Sequence, residues 1–157
     1  MQTWDSDFIK RVMTNRRIWP HISDDFAPPP DQFEPVMAPG IYYLAPEHDG
    51  QRVGVFMYMP HSTILFEVHT CILPLYRGGP AIKAARNSLA WMIENTACQK
   101  VITHVPASNT LALRFARAVG MQDEGTNRAS YMKRGELLDQ HLLGITREEI
   151  RACQQRQ

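Results

Sequence analysis

Apolar residues near the start of the chain recur at the spacing of a helix, and the pattern then stops. Within residues 5–19 they stand at Phe8, Ile9, Val12 and Met13. Such a stripe predicts an amphipathic helix, and Asp5 or Ser6 can accept hydrogen bonds from its first turn. From 20 to 40, closely spaced prolines replace the periodicity, so we predict an irregular segment that lies across the surface or beside a cleft.

Runs of β-branched and aromatic residues in the middle of the chain predict three neighbouring strands. Residues 41–44 and 52–59 form a predicted hairpin, because His48, Asp49 and Gly50 between them have the composition of a tight turn. The next run, residues 63–73, predicts a strand that follows the hairpin directly. Short connections favour antiparallel pairing, so three antiparallel strands are expected.

The second half of the sequence alternates between helical and strand-like patterns. We predict helices over 81–96, 109–119 and 147–154, and strands over 100–105 and 130–133. Pro80 suits the first turn of the helix that follows it, and Gly120 is a typical stop for the helix before it. The order of elements predicts one α/β domain over 1–157, an α+β mixed sheet that is mostly antiparallel and has helices on both faces.

The composition and charge are those of an ordinary globular protein, and they exclude several classes of function. The chain has 157 residues, 44% of them hydrophobic, a size suited to one domain. A formal net charge of +1 argues against a nucleic acid partner, and no apolar run is long enough for a membrane span. Three widely spaced cysteines, with no CxxC or HExxH motif, favour reduced thiols in a cytoplasmic protein without a metal centre.

Two sequence elements resemble the GNAT superfamily of acyl-CoA-dependent N-acyltransferases. ILPLYRGGPA, residues 72–81, is similar to the strand, turn and helix start at which that superfamily binds the pyrophosphate of CoA. NTLALRFARAVGM, residues 109–121, is similar to its later helix, which opens with N-x-x-A and closes on glycine and an apolar residue. The resemblance covers residues 53–125 and implies a GNAT-like fold with acetyl-CoA as co-substrate.

The resemblance also implies which residues contact the cofactor. They are Ile72, Leu73, Arg77, Gly78, Gly79, Ala81, Ile82, Asn109 and Phe115. Counted from Arg77, the two small-residue positions of the turn fall on Pro80 and Ile82. In a turn one residue shorter they fall on Gly79 and Ala81, and both alignments stay open.

Two further positions bear on how the cofactor would be held and released. Asn109 either contacts CoA or caps the helix that it begins, a role that asparagine fills well. Many members of the superfamily place, seven residues later, a tyrosine that protonates the departing thiolate, and this chain has Ala116 there. The thiolate of CoA is then expected to leave without a tyrosine acid.

Glu67 and His69 are the candidate catalytic residues. They are two apart in an otherwise apolar strand, so their side chains share one face of the sheet. Either can take a proton from an attacking ammonium, directly or through a water, and an imidazole titrates near neutral pH. The alternative is that both face solvent or pair with each other, and a bulge in the strand would reverse their face. His104, near the end of the next strand, is interpreted as a histidine with a local hydrogen-bond partner.

These observations favour an acetyl-CoA-dependent N-acetyltransferase that acts on an amine of a small molecule or protein, with an acceptor cleft built from the segment after Pro20. The alternative is a catalytically silent GNAT-fold protein that serves as a binding or virion-assembly module. ISDDF, EVHT and HVPASN resemble uncharacterised GNAT-like proteins encoded by bacteriophages, which implies the host cytoplasm. The oligomeric state stays open, with a homodimer as one alternative.

Overall fold

A mixed sheet of six strands runs through the molecule. The computed structural model describes residues 1–155. Its strands are β1 Tyr42–Leu44, β2 Glu47–His48, β3 Gln51–Arg52, β4 Gly54–Pro60, β5 Leu65–Ile72, β6 Lys100–Pro106, β7 Gln122–Lys133 and β8 Glu136–Thr146. The main sheet has the order β1-β4-β5-β6-β8-β7, while β2 and β3 form a separate pair. Every neighbouring pair is antiparallel except β5 and β6, which are parallel.

Helices pack on both faces of this sheet. They are α1 Ser6–Met13, α2 Trp19–Ile22, α3 Gly79–Asn95, α4 Thr110–Val119 and α5 Arg147–Gln154. Within residues 1–155, none of these helices is both long enough and apolar enough to cross a membrane. The predicted fold class, a mostly antiparallel α/β sheet between helices, is confirmed.

The first helix is shorter than its apolar pattern predicted. Asp5 caps α1, and its carboxylate accepts a hydrogen bond from the Phe8 N–H at 2.9 Å. The helix ends at Met13, and the side chain of Asn15 then accepts a hydrogen bond from the Arg17 N–H at 2.9 Å. A polar side chain that bonds to nearby backbone competes with helix continuation, so the chain turns before it forms α2.

Residues 20–40 are mostly irregular, as predicted. The segment contains the end of α2 and one turn of 3₁₀ helix, Pro30–Gln32. The Tyr43 hydroxyl donates a hydrogen bond to the carbonyl oxygen of Val36 at 3.1 Å, which ties the segment to β1. The irregular segment is thus attached to the sheet.

Alternation along β5 divides the core into two clusters, one on each face of the sheet. Phe66 and Val68 belong to the cluster that packs under α3 and α4, whereas Cys71 belongs to the cluster that packs under α1. The register of β5 against β4 is unbroken, so no bulge reverses the faces. Glu67 and His69, which alternate with Phe66 and Val68, therefore face the α1 side.

The central helices begin and end within two residues of their predicted bounds, and their caps explain why. Gly78 precedes α3 with a φ of 84°, a conformation that favours glycine, and Pro80 occupies the first turn. Asn109 caps α4, its side chain accepting a hydrogen bond from the Ala112 N–H at 3.2 Å. Gly120 ends that helix in the left-handed conformation.

The last two strands differ most from the prediction. A single short strand was expected over 130–133, whereas β7 and β8 form a long antiparallel hairpin. Most of β7 is exposed on both faces, so it lacks the apolar alternation that marks a half-buried strand. Register shifts after Asp123 and after Asn127 interrupt the pairing as well.

Replacing Gly54 by alanine is expected to lower the free energy of unfolding by about 2–3 kcal/mol. A Cβ atom there would lie 2.1 Å from the carbonyl oxygen of Cys71 on the paired strand. Chemical denaturation measures the change. Gly79→Ala is the control, because nothing lies within 4 Å of a Cβ atom at that position. Equal losses in the two variants would contradict this explanation.

Candidate functional site

Strands β5 and β6 pair at their first residues and then separate. Their parallel ladder ends at Glu67 and Ile102, although both strands continue beyond that point. The Thr103 hydroxyl donates a hydrogen bond to the carbonyl oxygen of Val68 at 3.1 Å, just where the strands diverge. A cleft of about 600 Å³ opens there. Backbone groups that a paired strand would otherwise bind therefore face a cavity.

The backbone of β5 turns two N–H groups toward this cleft. The Leu73 N–H donates to the carbonyl oxygen of Val53 at 2.9 Å, on the side of β4. Since successive residues point their backbone groups to alternate sides, the N–H groups of Thr70 and Ile72 face the side of β6. Leu73, an expected cofactor contact, does not line the cleft, because its N–H is used by the strand connection and its side chain packs under α1.

The cleft passes through the sheet and has a wall on each face. The wall on the α3 and α4 side includes Arg77, Gly78, Ala81, Ile82, Asn109, Arg114 and Phe115. The wall on the α1 side includes Arg17, His21, Glu67, His69, His104, Tyr131 and Gln140. The N-terminal part of this wall consists of Arg17, Ile18, His21 and Ile22. The segment after Pro20 therefore contributes only its first two residues, and its later prolines do not line the cleft.

Glu67 stands where the strands diverge, and histidines engage both of its carboxylate oxygens. Nδ1 of His104 lies 2.9 Å from Oε1, and Nε2 of His61 lies 2.8 Å from Oε2. Nε2 of His69 lies 3.9 Å from Oε1, within range of an ionic interaction but too far for a direct hydrogen bond. We call these four residues the Glu67 cluster. It joins the predicted pair, Glu67 and His69, to two further imidazoles.

The Glu67 carboxyl group is ionised although its side chain is only 15% exposed. Burial raises its pKa, but hydrogen bonds from His104 and His61 and the electrostatic effect of His69 together outweigh burial, so the pKa lies below its usual value. An ionised carboxylate only accepts hydrogen bonds. Nδ1 of His104 and Nε2 of His61 are therefore the donors in these two hydrogen bonds.

His69 is a neutral imidazole at neutral pH. Burial lowers its pKa below the usual histidine value, and Glu67 acts in the opposite direction without restoring it. The neighbouring His104 and His61 lower the pKa further. The ring faces the cleft and is still 43% exposed, so an incoming ligand can reach it. Its unprotonated state at neutral pH is the one that a general base requires.

The turn before α3 has the features of an anion-binding site. The first N–H groups of a helix have no partner within the helix, and here they belong to Gly79 and Ala81. Pro80 has no N–H, and the Ile82 N–H already donates to the carbonyl oxygen of Gly78 at 3.1 Å. Of the two alignments of the turn, the geometry favours the shorter one, in which Gly79 and Ala81 supply the donors.

Most of the residues expected to hold a cofactor come together in the cleft. Those that line it are Ile72, Arg77, Gly78, Ala81, Ile82, Asn109 and Phe115. Gly79 lies outside the lining, at the helix start, with open space beside its Cα atom. Asn109 caps α4 and lines the cleft at the same time, so its two interpretations are compatible.

Among the described residues that line the cleft, the tyrosine hydroxyls already have hydrogen-bond partners. The Tyr58 hydroxyl shares a hydrogen bond with that of Ser88 at 2.7 Å, and burial raises its pKa. The Tyr131 hydroxyl donates to the carbonyl oxygen of Ser23 at 2.9 Å, and burial raises its pKa too. Ala116 is buried at the position where the resemblance would place an acid.

A covalent route through the cysteine of β5 is not supported. Burial raises the pKa of the Cys71 thiol to about 12, so the thiol is protonated at neutral pH. It is 1% exposed and belongs to the core under α1. The chemistry of the cleft therefore rests on its histidines, its carboxylate and its backbone donors.

His61 and His104 are the two cluster members that sequence analysis did not assign to the site. His104 was expected to have a local partner, and its partner Glu67 lies on the adjacent strand. Because Ile102 pairs with Glu67, His104 stands two residues further along the same face of β6. The position of His104 beside Glu67 thus depends on the register between β5 and β6, which are distant from each other in sequence. His61 lies in the connection between β4 and β5, and no sequence pattern marks it.

Comparisons with known proteins agree with this architecture. The family model described as protein of unknown function (DUF2824) matches residues 29–156, and no curated protein matches the sequence. The fold is similar to that of the spermidine N-acetyltransferase from Vibrio cholerae in complex with CoA and spermine, with a TM-score of 0.74 and 17% identity over 96% of this chain and 94% of that chain. It is also similar to the ribosomal-protein-alanine N-acetyltransferase from Brucella melitensis, with a TM-score of 0.53 and 25% identity over 68% of this chain and 69% of that chain. The predicted GNAT fold is confirmed.

Proposed function

The chain belongs to the protein family DUF2824, and we propose that this member is an N-acetyltransferase that moves the acetyl group of acetyl-CoA to an amine. The observation that carries the proposal is the gap between β5 and β6. It has backbone donors at its centre, an anion-binding turn on one side and the Glu67 cluster on the other. A thioester and an amine can meet in such a gap from opposite faces of the sheet.

The α3 and α4 side of the cleft suits CoA. The N–H groups of Gly79 and Ala81, with the guanidinium of Arg77, would bind its pyrophosphate. The acetyl thioester of the bound cofactor supplies a carbonyl carbon that is open to attack. The N–H groups of Thr70 and Ile72 would donate to the carbonyl oxygen and stabilise the negative charge that develops on it.

The α1 side of the cleft suits the acceptor and the removal of its proton. An amine reaches the site mostly as an ammonium at neutral pH, and only the neutral form attacks. His69 would take the proton as a neutral imidazole, and Glu67 would stabilise the resulting imidazolium at 3.9 Å. His104 is the alternative acceptor, since Glu67 holds its Nδ1 and leaves the other nitrogen free. Glu67 would thus stabilise the protonated form of either base, and it would also orient His104 through their hydrogen bond.

The proposed transfer requires no oxidant and no metal, because the bond that forms is balanced by the bond that breaks. The nitrogen forms a bond to the acetyl carbon, and the carbon–sulfur bond breaks with its electron pair left on sulfur. The tyrosine hydroxyls of the cleft that the structure describes already have partners, so we propose that the thiolate leaves unassisted or takes a proton from water. A thiolate is a stable enough anion for this step, since free thiols ionise near pH 8.5.

Saturation with acetyl-CoA is expected to stabilise the protein by roughly 2.7 kcal/mol when the ligand is at 100 times its dissociation constant. That corresponds to a rise of about 5–10 °C in the midpoint of thermal unfolding. Differential scanning fluorimetry measures the shift, with adenosine as a control that lacks the pyrophosphate and the thioester. An unchanged midpoint at millimolar acetyl-CoA would contradict a cofactor role for the cleft.

A second candidate function is a binding or assembly module without catalysis. The absence of a tyrosine at Ala116 and the loss of one helix donor at Pro80 favour it. The resemblance of three short motifs to phage-encoded proteins would place such a module, or the enzyme, in a host cytoplasm. Acetyl-CoA binding without transfer to any amine would support the module, whereas transfer that depends on the Glu67 cluster would support the enzyme.

A further inference from the structure

Resting on the acetyltransferase function, we propose that the acceptor amine carries an anionic group, a carboxylate or a phosphate, which Arg17 binds. The cleft lining has three arginines, Arg17, Arg77 and Arg114, and a single carboxylate, Glu67. None of these arginines forms an ion pair within the part of the chain that the structure describes. A cleft with unpaired cations is suited to anionic ligands.

The three arginines divide between the two faces of the sheet. Arg77 precedes α3 and Arg114 lies on α4, so both stand on the side proposed for the phosphates of CoA. Arg17 stands on the opposite side, together with the Glu67 cluster. Cofactor phosphates on the α3 side leave the charge of Arg17 unmatched. An anionic group on the acceptor would match this charge.

The main chain around Arg17 holds its side chain beside the cleft. The Arg17 N–H donates to the side chain of Asn15 at 2.9 Å, and the Ile18 N–H donates to the carbonyl oxygen of Asn15 at 2.8 Å. Ile18 is 5% exposed and belongs to the core under α1. Arg17 itself is exposed, so its guanidinium extends from an anchored turn and is accessible to a carboxylate or phosphate of a ligand.

Negative groups that could balance Arg17 are occupied elsewhere. Histidines engage both oxygens of Glu67. Asp24 and Asp25 are close in sequence but do not line the cleft, and their carboxylates accept hydrogen bonds from the backbone N–H groups of Phe26, Arg134 and Gly135. A polyamine carries a second ammonium, and here that ammonium would meet the like charge of Arg17. The acceptor is therefore of a different class from spermine, which the similar Vibrio cholerae protein binds.

Binding of matched amines to the protein saturated with CoA tests the proposal. The probes share one primary amine and a carbon chain of two to six atoms, and they end in a carboxylate, a phosphonate, a methyl group or a second ammonium. Calorimetry is expected to show tightest binding for an anionic end, by about tenfold over the methyl end of equal length. Comparison of carboxylate with phosphonate then identifies the anion. No preference for either anionic end over the methyl end, at any length, would overturn the proposal.

Arg17→Glu is expected to abolish the preference for the anionic end and to favour the ammonium end instead. Arg16→Glu is the matched control, because Arg16 is an equally exposed neighbour that does not line the cleft, and it should leave the preference unchanged. An unchanged preference in Arg17→Glu would overturn the role of Arg17. Acetyl-CoA stabilisation of the parent and both variants is measured separately, so a failed acceptor proposal is distinguishable from a failed acetyltransferase proposal.

Discussion

Replacing Glu67 by glutamine is expected to lower kcat/KM at pH 7 by about 10²–10⁴-fold, the range typical for loss of acid–base catalysis. Glutamine keeps the size of the side chain but removes the charge that faces His69 and the second acceptor oxygen. Its amide can accept a hydrogen bond from His104 or from His61 with its one oxygen, whereas the carboxylate accepts from both. The base then loses the carboxylate that stabilises its protonated form.

The dependence of kcat/KM on pH separates this role from a merely structural one. The proposed base must be neutral, so the rate rises as the pH increases through the pKa of His69, which lies below the usual histidine value. Glu67 raises that pKa, and its removal is expected to move this limb of the profile to still lower pH. Alkaline conditions should partly restore the rate of the variant, because the neutral amine is then abundant without a base.

His69→Gln and His104→Gln identify which imidazole takes the proton. The one whose loss removes the rising limb of the profile is the base, and the other variant should keep that limb. Glu47→Gln is the control, since Glu47 is exposed and lies in the separate β2 and β3 pair. CoA affinity should stay near the parental value in all four variants. Parental rates in Glu67→Gln across the pH range would show that the cluster is structural.

Much of the fold could be predicted because its signals are local. The α4 helix has an asparagine cap, an apolar face and a glycine stop within a dozen residues, and the structure uses all three. The alternation around Glu67 and His69 correctly placed both on one face, since a strand that pairs without a bulge keeps its period of two. Such patterns involve residues that are close in sequence, so they can be recognised without knowledge of tertiary contacts.

The features that could not be predicted depend on residues that are distant in sequence. Most of β7 is paired with β8, yet its exposed residues show no apolar alternation, because backbone hydrogen bonds hold the strand in place and not a buried face. The Glu67 cluster similarly draws His104 from a strand some 37 residues away. Arg17 became a cleft residue only because α1 stops early and the chain turns toward the gap.

The proposed pyrophosphate site also follows from local geometry. The backbone conformation of its two glycines determines which of them can be substituted to test cofactor binding. Gly78 has a φ of 84°, so any substitution there would strain the backbone and confuse loss of fold with loss of binding. Gly79 has no such restriction, and no heavy atom lies within 4 Å of a Cβ atom built on it. It is also the first residue of α3, where a negative side chain interacts favourably with the helix dipole. A charged side chain at Gly79 should therefore leave the fold intact.

Gly79→Glu is expected to weaken CoA binding by roughly 100-fold while leaving the thermal midpoint of the free protein unchanged or slightly higher. A carboxylate about 4 Å from a phosphate costs up to about 4 kcal/mol near a protein surface, and salt screens part of that cost. The added carboxylate also competes for the N–H groups of the helix start. Gly79→Ala is the matched control and should bind CoA like the parent. Isothermal calorimetry at low and high salt measures both variants, and the defect of Gly79→Glu should shrink as salt increases. Parental affinity in Gly79→Glu would place the pyrophosphate elsewhere in the cleft, whereas equal loss in Gly79→Ala would assign the effect to the backbone and not to charge.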